Sequence, residues 1–333
     1  MRKNSLHLVL IILMIFPLLI SQLIACNNNY NTVSGTTFFF DTTIDIKISS
    51  YTISQSDLEN NYNEIVNILS EYSKLTDNFK EYPNINNVYS INHSNDYLEV
   101  SDKLISILKL SIVCKEKTSG FFNPLIGEIS NIYKDIIDSE ELPTDFDNLI
   151  NEKVNDLNNS YIDIIDNKVK IIGEGKIDLG GIAKGYVLDI IKDYLEEENI
   201  TDYLINAGTS SILLGTKNKN KGYYKIASKY DDLRIFNIKN NVLGTSSIFE
   251  QNVIIDNVLY HHIINPYTGR PVNNYDVIYL IGNNGALIDA YTTALFSMDL
   301  EDIKSFVSNN NLTVIIYKDN KVIYNNSQGD YYG

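Results

Sequence analysis

The segment from Ile177 to Asp189 (IDLGGIAKGYVLD) places Asp178, a glycine pair and Lys184 where a predicted strand gives way to a predicted helix. The apolar residues before it alternate as in a strand, and those after it recur at helical spacing. Glycines let the backbone approach a ligand, and the first amides of a helix favour anions because the helix dipole is positive there. The pattern predicts a phosphate site with Lys184 as a point charge, although an ordinary helix start with a solvated lysine looks the same.

A carboxylate and a hydroxyl, those of Asp289 and Thr293, lie four residues apart within a predicted helix. Residues at this spacing share one helix face, so both groups can point at one site. Two hard oxygens suit Mg²⁺, which takes one or two protein carboxylates beside substrate phosphates. The alternative is structural, with Asp near a helix start and Thr bonded to the carbonyl four residues back.

Two adjacent histidines, His261 and His262, lead from a predicted strand into a turn that contains Pro266 and Gly269. Neighbouring side chains of a strand point to opposite faces, so at most one of the two histidines enters a given site. No cluster of metal-ligating residues accompanies them in the sequence. A solvated histidine on a hairpin is therefore the alternative to a functional one.

The periodicity of the chain predicts the elements that position these motifs, with helices interspersed among antiparallel hairpins in an α+β domain. The predicted helices cover 56–75, 102–118, 182–195, 286–298 and 301–308. The predicted strands cover 36–50, 161–165, 168–172, 203–205, 211–214, 223–227, 253–255, 261–264, 277–281 and a closing hairpin over 313–324. The polar region 140–160 predicts an irregular surface segment, and Cys114 lies in an apolar pattern typical of the core.

The chain begins with two basic residues, an apolar run over 8–20 and the tetrapeptide from Leu23 to Cys26. A basic start and a short apolar core are typical of a secretory signal, and the tetrapeptide resembles the lipobox of bacterial lipoproteins, in which the cysteine is lipidated. A single uncleaved membrane anchor is the alternative, but the run is short for a spanning helix and contains Pro17.

The resulting prediction has three parts: a lipoprotein signal peptide over 1–25, a flexible tether over 26–35 that starts at lipidated Cys26, and one domain over 36–327. The tether is polar and has no periodicity, which is typical of a flexible linker. We therefore expect the domain to be lipid-anchored at the extracytoplasmic face of the cell membrane.

The acidic balance of the chain excludes nucleic acid as a partner. The sequence has 27 basic and 42 acidic residues, for a net charge of −15, and loss of Arg2 and Lys3 with the signal peptide leaves 25 basic residues and −17. Such a surface repels nucleic acid and anionic lipid head groups. We therefore expect the protein to contact the membrane through its lipid anchor. With Cys26 modified, Cys114 has no partner for a disulfide.

Taken together and in this order, the motifs resemble the ApbE family, the FAD:protein FMN transferases. The strongest matches are Asp178 to Tyr186, Asn206 to Gly208, His262 to Gly269 and Asp289 to Ala294. Weaker matches lie at Phe40 to Thr43, Phe79 to Tyr82 and Gly120 to Pro124. The resemblance thus covers nearly the whole chain after the predicted tether.

The resemblance implies a single ApbE-like (T-fold-like) domain of mixed, largely antiparallel sheets with packed helices. It implies Mg²⁺-dependent transfer of FMN from FAD to a Thr or Ser hydroxyl of an acceptor electron-transfer flavoprotein, with release of AMP. By the same resemblance, the metal ligands are Asp289, Thr293 and the main-chain oxygen of Gly181. The residues that contact FAD are Phe40, Tyr82, Phe121, Phe122, Asn123, Asp178, Lys184, His262 and Ile263.

The expected chemistry assigns catalytic roles to three of these residues. Attack at phosphorus concentrates negative charge on the phosphoryl oxygens and on departing AMP, and Mg²⁺ with Lys184 would offset it. If the acceptor hydroxyl needs a base, His262 is the first candidate and Asp178 the second. In four places the chain departs from the family pattern: Asp41 replaces Gly, Asn123 and Asn265 each replace Asp, and Ser247 replaces a frequent Gly.

Three other functions stay open at this point. The same site could hydrolyse FAD to FMN and AMP, with water in place of the acceptor hydroxyl. A lipoprotein could instead bind flavin for a transporter without chemistry, which would give no reason for the pairing of Asp289 with Thr293. A purely structural surface lipoprotein would have no affinity for flavin.

Overall fold

The computed structural model describes residues 30–327 except 209, 218–221, 229 and 231–234. The predicted signal peptide and Cys26 lie outside the described residues. The main element is an antiparallel eight-stranded sheet with the spatial order β1-β2-β6-β7-β10-β15-β16-β17. Its strands are β1 (Asn31–Phe39), β2 (Thr42–Ser50), β6 (Asp202–Ala207), β7 (Ser211–Leu214), β10 (Asn241–Ser247), β15 (Val277–Gly282), β16 (Thr313–Lys318) and β17 (Lys321–Asn325).

Four smaller sheets accompany the main sheet, and each of them is antiparallel. One has three strands, β3 (Leu98–Glu99), β5 (Lys168–Ile172) and β4 (Tyr161–Ile165). The others are two-stranded: β8 (Tyr224–Ala227) with β9 (Ile235–Ile238), β11 (Asn252–Ile255) with β12 (Val258–His261), and β13 (Ile264–Asn265) with β14 (Arg270–Pro271).

Eight helices are present in the described part of the chain: α1 (Gln55–Thr76), α2 (Val88–Asn92), α3 (Asp102–Lys117), α4 (Gly127–Ser139), α5 (Phe146–Asn158), α6 (Ala183–Glu197), α7 (Gly285–Phe296) and α8 (Leu300–Asn309). Side-chain caps start several of them, because the first amides of a helix lack partners within it. Ser54 caps α1 and Ser101 caps α3, and Gly120, with φ +84°, lies where the chain turns away after α3. Among the described residues, no helix is both long and apolar enough to span a bilayer.

The main sheet separates two apolar cores. In β2, Ile44, Ile46 and Ile48 are buried while Asp45 and Lys47 are exposed, as the period of two in a strand requires. The isoleucine face packs with α1, α6 and α7 in the larger core. The opposite face packs with the β8–β9 hairpin in a smaller core. The predicted α+β class is confirmed, and α6 and α7, which carry the candidate site residues, lie side by side.

The structure corrects the prediction at the N-terminal end of the domain. The predicted strand 36–50 is a hairpin, in which Phe40 and Asp41 form the turn with φ of 53° and 54°. Strand β1 begins at Asn31, so residues 31–35 pair with β2 and do not belong to a tether. Alternation within each strand was visible in the sequence, but Asp41 is the only common turn residue of the Phe40–Asp41 pair and stands beside a phenylalanine.

The region predicted as irregular over 140–160 is also corrected, since α5 fills most of it. Phe146, Ile150 and Leu157 are buried at helical spacing, and the polar residues between them face solvent. The prediction for Cys114 is confirmed: the thiol is fully buried and free, and burial raises its pKa to about 11.

Candidate active site

The candidate site is built around the carboxylate of Asp289, which lies one turn into α7 and is only 8% exposed. Its Oδ2 accepts a hydrogen bond of 2.5 Å from the main-chain N–H of Gly185, at the start of α6. Its Oδ1 accepts a hydrogen bond from the hydroxyl of Ser211, at the start of β7. Three elements that are far apart in sequence therefore fix one carboxylate.

Burial raises the pKa of Asp289, because removal from water disfavours the charged form. The positive charge of Lys184 acts in the opposite direction, as do the hydrogen bonds from Ser211 and Gly185. Lys184 lies in the first turn of α6, as the sequence predicted, and its side chain is half-buried. A buried carboxylate beside a lysine forms a polar centre that can bind both a cation and a phosphate.

The other two predicted metal ligands adjoin this centre. A Cβ placed on Gly181 would lie 3.3 Å from Oγ1 of Thr293 and 3.2 Å from the ring of Phe122, so the backbone of Gly181 lies against both side chains. The Thr293 hydroxyl donates to the carbonyl of Asp289 at 3.2 Å, which is the ordinary bond of a helical threonine. This bond uses the hydroxyl hydrogen and leaves oxygen lone pairs for another partner.

These oxygens fit a magnesium ion by their chemistry. A carboxylate, a hydroxyl and a carbonyl are hard donors, and Mg²⁺ characteristically uses few protein ligands together with water and phosphate. Within the described ranges, no three His, Cys, Asp or Glu side chains form a group that could hold a metal. A site of the predicted kind contains one carboxylate and so would not form such a group.

At the start of α6, where the sequence predicts a phosphate site, two of the amides have partners within the protein. The N–H of Ala183 donates to the carbonyl of Leu179 at 2.8 Å, and the N–H of Gly185 donates to Asp289. The anion at this helix start is thus a carboxylate of the protein.

Asp178, the second candidate base, forms a local turn. Its Oδ1 accepts the N–H of Gly180 at 2.7 Å, and its own N–H donates to the carbonyl of Pro124 at 2.8 Å. The second bond joins the segment before α6 to the loop that contains Phe122 and Asn123. The two predicted FAD-binding segments are therefore adjacent.

The two histidines face opposite ways, as expected for neighbours at the end of a strand. His261 is fully buried, its Nδ1 accepts the N–H of Ile263 at 3.2 Å, and its Nε2 lies 3.2 Å from the carbonyl of Val272. Burial lowers the pKa of His261 to about 4, so the ring is neutral and structural. Ile263 is itself buried, at 3% exposure.

The His262 side chain is exposed to solvent, but the protein around its ring partly desolvates it. This partial desolvation lowers the pKa of His262, and the charge of Lys184 lowers it further. Nδ1 lies 3.1 Å from the carbonyl of Glu250, which can only accept, so Nδ1 carries the proton of the neutral ring. The lone pair is then on Nε2, and His262 has the protonation state of a general base.

Two of the departures from the family pattern keep the hydrogen bond that their turn requires. Oδ1 of Asn265 accepts the N–H of Tyr267 at 2.8 Å, and Oδ1 of Asn123 accepts the N–H of Leu125 at 3.1 Å. An amide oxygen serves this purpose as a carboxylate oxygen does, but it brings no negative charge. The two turns also touch, since the rings of Phe121 and Tyr267 meet edge to face at 5.2 Å.

Phe40 and Tyr82 belong to a second group of residues. The N–H of Phe40 donates to Oγ of Ser73 at 3.2 Å, and the hydroxyl of Tyr82 donates to Asp77 at 2.9 Å. The pKa of Tyr82 is raised to about 12, first by desolvation, then by the bond to Asp77, with a smaller part from the charge of Asp41. The Phe40–Asp41 turn and Tyr82 are thus close to each other, but their hydrogen bonds run to α1 and the loop after it.

Three residues that shape the site were not predicted from the sequence: Ser211, Asp189 and Glu250. Ser211 lies three residues after the Asn206 to Gly208 motif, and this closeness in sequence was the only indication that it belongs to the site. Glu250 accepts from His262 through its carbonyl and also lines a cavity of about 300 Å³ between the β8–β9 hairpin and the main sheet. Asp189 caps α7 from α6 through hydrogen bonds of 2.6 and 2.9 Å.

Comparison with known proteins gives consistent results for this chain. The sequence model of the ApbE family matches residues 40–316. A FAD:protein FMN transferase of Klebsiella pneumoniae is 32% identical over 129 residues, which are 38% of this chain and 40% of that protein's length. A protein of the same name from Vibrio cholerae is 25% identical over 67% of this chain and 69% of its own length.

Solved structures show the same fold. The ApbE protein of Thermotoga maritima superposes with a TM-score of 0.75 and 26% identity, over 86% of this chain and 94% of that one. The flavin transferase ApbE of Vibrio cholerae superposes with a TM-score of 0.74 and 22% identity, over 90% of this chain and 98% of that one.

Proposed function

Because this chain belongs to the ApbE family, we propose that it is an FAD:protein FMN transferase. The acceptor is a Thr or Ser hydroxyl of an electron-transfer flavoprotein, and AMP is the leaving group. In the reaction the acceptor oxygen forms a bond to the FMN-side phosphorus of FAD. The bond from that phosphorus to the bridging oxygen breaks, and the bridging oxygen leaves on AMP.

One observation carries the proposal: the buried Asp289 carboxylate is oriented by Gly185 and Ser211 beside Lys184. A protein that only binds flavin, or has a purely structural role, has no need of a desolvated carboxylate in this position. Burying such a group is costly unless it is matched by a cation, so the arrangement favours a catalytic site.

We propose that Asp289, Thr293 and the carbonyl of Gly181 hold a Mg²⁺ ion. When bound, such an ion neutralises charge on phosphate oxygens and helps to align the reacting groups. The three ligands come from α7 and from the residues just before α6. Their positions relative to each other therefore depend on how these two helices pack.

The residues around this centre have distinct proposed roles. Lys184 offsets the negative charge that develops on the phosphoryl oxygens and on AMP. His262 accepts the proton of the acceptor hydroxyl at Nε2, because its Nδ1–H is directed to the carbonyl of Glu250. Asp178 and the loop from Phe121 to Asn123 adjoin the metal ligands and contact FAD, and Phe40, Tyr82 and Ile263 complete the flavin pocket.

We further propose that the protein is a lipoprotein, anchored through Cys26 and facing away from the cytoplasm. The support is the N-terminal sequence, with its basic start, short apolar run and lipobox-like tetrapeptide. In this arrangement the acceptor would be exposed on the same side of the membrane.

The main rival is hydrolysis of FAD at the same site, since water can replace the acceptor hydroxyl. The test is incubation of the protein with FAD, Mg²⁺ and a peptide that carries the Thr or Ser acceptor, followed by mass spectrometry and chromatography. Transfer predicts flavin covalently bound to the peptide and one AMP for each flavin transferred. Free FMN without labelled peptide would refute transfer in favour of hydrolysis, and FAD binding without AMP would refute both.

A further inference from the structure

The helices α6 and α7 each place a carboxylate at the start of the other. Asp289 of α7 accepts the N–H of Gly185, in the first turn of α6, at 2.5 Å. Asp189 of α6 accepts the N–H groups of Gly285 and Ala286, the first two residues of α7, at 2.6 and 2.9 Å. These reciprocal bonds join the two helices that hold the proposed metal ligands.

The helices touch where neither has a side chain. A Cβ on Gly185 would lie 2.0 Å from the carbonyl oxygen of Gly285, and a Cβ on Gly285 would lie 2.4 Å from the carbonyl oxygen of Gly185. Two backbones in contact can approach closely, but they have no interlocking side chains that fix how one helix slides or turns on the other. Side chains of both helices pack in the larger core around this contact, and directional hydrogen bonds add a restraint at the contact itself.

Asp189 is not needed merely to start α7. The side chain of Asn284 already caps that helix by accepting the N–H of Leu287 at 2.9 Å. Burial raises the pKa of Asp189 to about 6 despite its two hydrogen bonds, so desolvation of this carboxylate outweighs the stabilisation from the amides. Its two bonds instead tie the start of α7 to a fixed point on α6.

We propose that Asp189 is a positioning residue, which sets α7 on α6 so that Asp289 and Thr293 meet Gly181 and Lys184. Asp289 follows Gly285 by one helical turn, so a shift at the bonded end of α7 moves the ligand by a similar distance. The inference rests on the proposed function and deepens it, because Asp189 acts through the metal ligands without contacting the metal itself.

The test compares Asp189→Asn with Asp193→Asn, which changes an exposed carboxylate one turn further along the same helix. The Asn side chain has one acceptor and one donor, so it keeps one of the two hydrogen bonds and faces the other N–H with a donor. Two quantities are measured on each protein: the rate of AMP release from FAD as Mg²⁺ is varied, and the change in melting temperature on addition of Mg²⁺.

For Asp189→Asn we expect the half-saturating Mg²⁺ concentration to rise about tenfold, which corresponds to about 1.4 kcal/mol. The KM for FAD at saturating Mg²⁺ should stay within twofold of wild type. Asp193→Asn should match wild type in both quantities. Equal Mg²⁺ dependence in the two variants would overturn the inference, even if Asp189→Asn melts at a lower temperature, because the role would then be structural only.

A second variant, Asp189→Glu, keeps the charge and both acceptor oxygens and should recover part of the Mg²⁺ affinity. It replaces Asp189→Asn in the comparison if the latter does not fold, and failure of both to fold would overturn the inference in favour of a structural role. If wild type releases no AMP, the proposed function fails. The role of Asp189 is then tested separately by the change in melting temperature on addition of Mg²⁺. A rise in melting temperature with Mg²⁺ that is seen in Asp193→Asn and lost in Asp189→Asn supports the inference. An equal rise in the two variants, or no rise in wild type, contradicts it.

Discussion

Replacing Gly185 with alanine should separate the two helices of the site. The added Cβ would lie 2.0 Å from the carbonyl oxygen of Gly285 and 2.4 Å from its carbon, both of which are backbone atoms of α7. The shorter distance falls 1.4 Å below the 3.4 Å at which ordinary contact begins. Because backbone cannot rotate away as a side chain can, α6 and α7 have to move apart by a distance of this order.

The energetic effect follows from two opposing contributions. Overpacking of a well-packed contact costs about 1–3 kcal/mol, and loss of the Gly185 N–H bond to the buried Asp289 carboxylate costs about 1–3 kcal/mol more. Alanine favours a helix over glycine by about 1 kcal/mol, which offsets part of this. We expect Gly185→Ala to lose about 1–5 kcal/mol of stability. Because the proposed metal ligands would be displaced, we also expect it to lose about a hundredfold in activity.

Urea unfolding and the rate of AMP release from FAD measure the two effects. Gly180→Ala is the matched control, because a Cβ there meets only the side chain of Asp178, at 3.1 Å, in an exposed turn. It should lose much less stability than Gly185→Ala. If Gly185→Ala had the stability and activity of wild type, the close contact of the helices and its role in placing Asp289 would be refuted.

Two further predictions concern carboxylates of the site. Ser211→Ala removes a hydrogen bond to buried Asp289 and should lower the free energy of unfolding by about 1–3 kcal/mol. The control Ser210→Ala removes only a 3.3 Å bond to the carbonyl of Ala207 and should lower the free energy of unfolding by less. Equal losses in the two variants would contradict the role of Ser211. Asp189 has a pKa of about 6 in the folded protein against 3.8 ordinarily, so the folded state retains a proton that the unfolded chain releases between about pH 4 and 6. Stability from this group is present below pH 4 and is lost as the pH rises through 6. Relative to Asp189→Asn, wild type should therefore lose up to about 3 kcal/mol across this range in urea titrations, and parallel pH profiles would contradict the raised pKa.

The parts of the site that sequence could predict are those set by local spacing. Asp289 and Thr293 are one helical turn apart, Lys184 follows a glycine pair at a helix start, and neighbouring histidines must face opposite ways. Each of these statements depends on the geometry of a single element. The structure places Lys184 in the first turn of α6, buries His261 and leaves His262 exposed.

The contacts that orient Asp289 depend on the fold as a whole. Ser211 lies 78 residues from Asp289 and Gly185 lies 104 residues from it, and the order of strands in the main sheet decides which of them meet. The bond from Gly185 to Asp289 could not be predicted for the same reason, since nothing near Gly185 in sequence shows that a distant carboxylate accepts from its N–H. The β1–β2 turn was missed because only one of its two central residues, Asp41, is a common turn residue, whereas Phe40 rarely adopts positive φ.

We propose that Asp289 supports FMN transfer by holding the metal ion. The direct measurement is the amount of flavin bound to the acceptor peptide after incubation with FAD and saturating Mg²⁺, for wild type and for Asp289→Ala, with melting curves to show that both are folded. We expect labelled peptide with wild type and none with a folded Asp289→Ala variant. Full labelling by Asp289→Ala would contradict it.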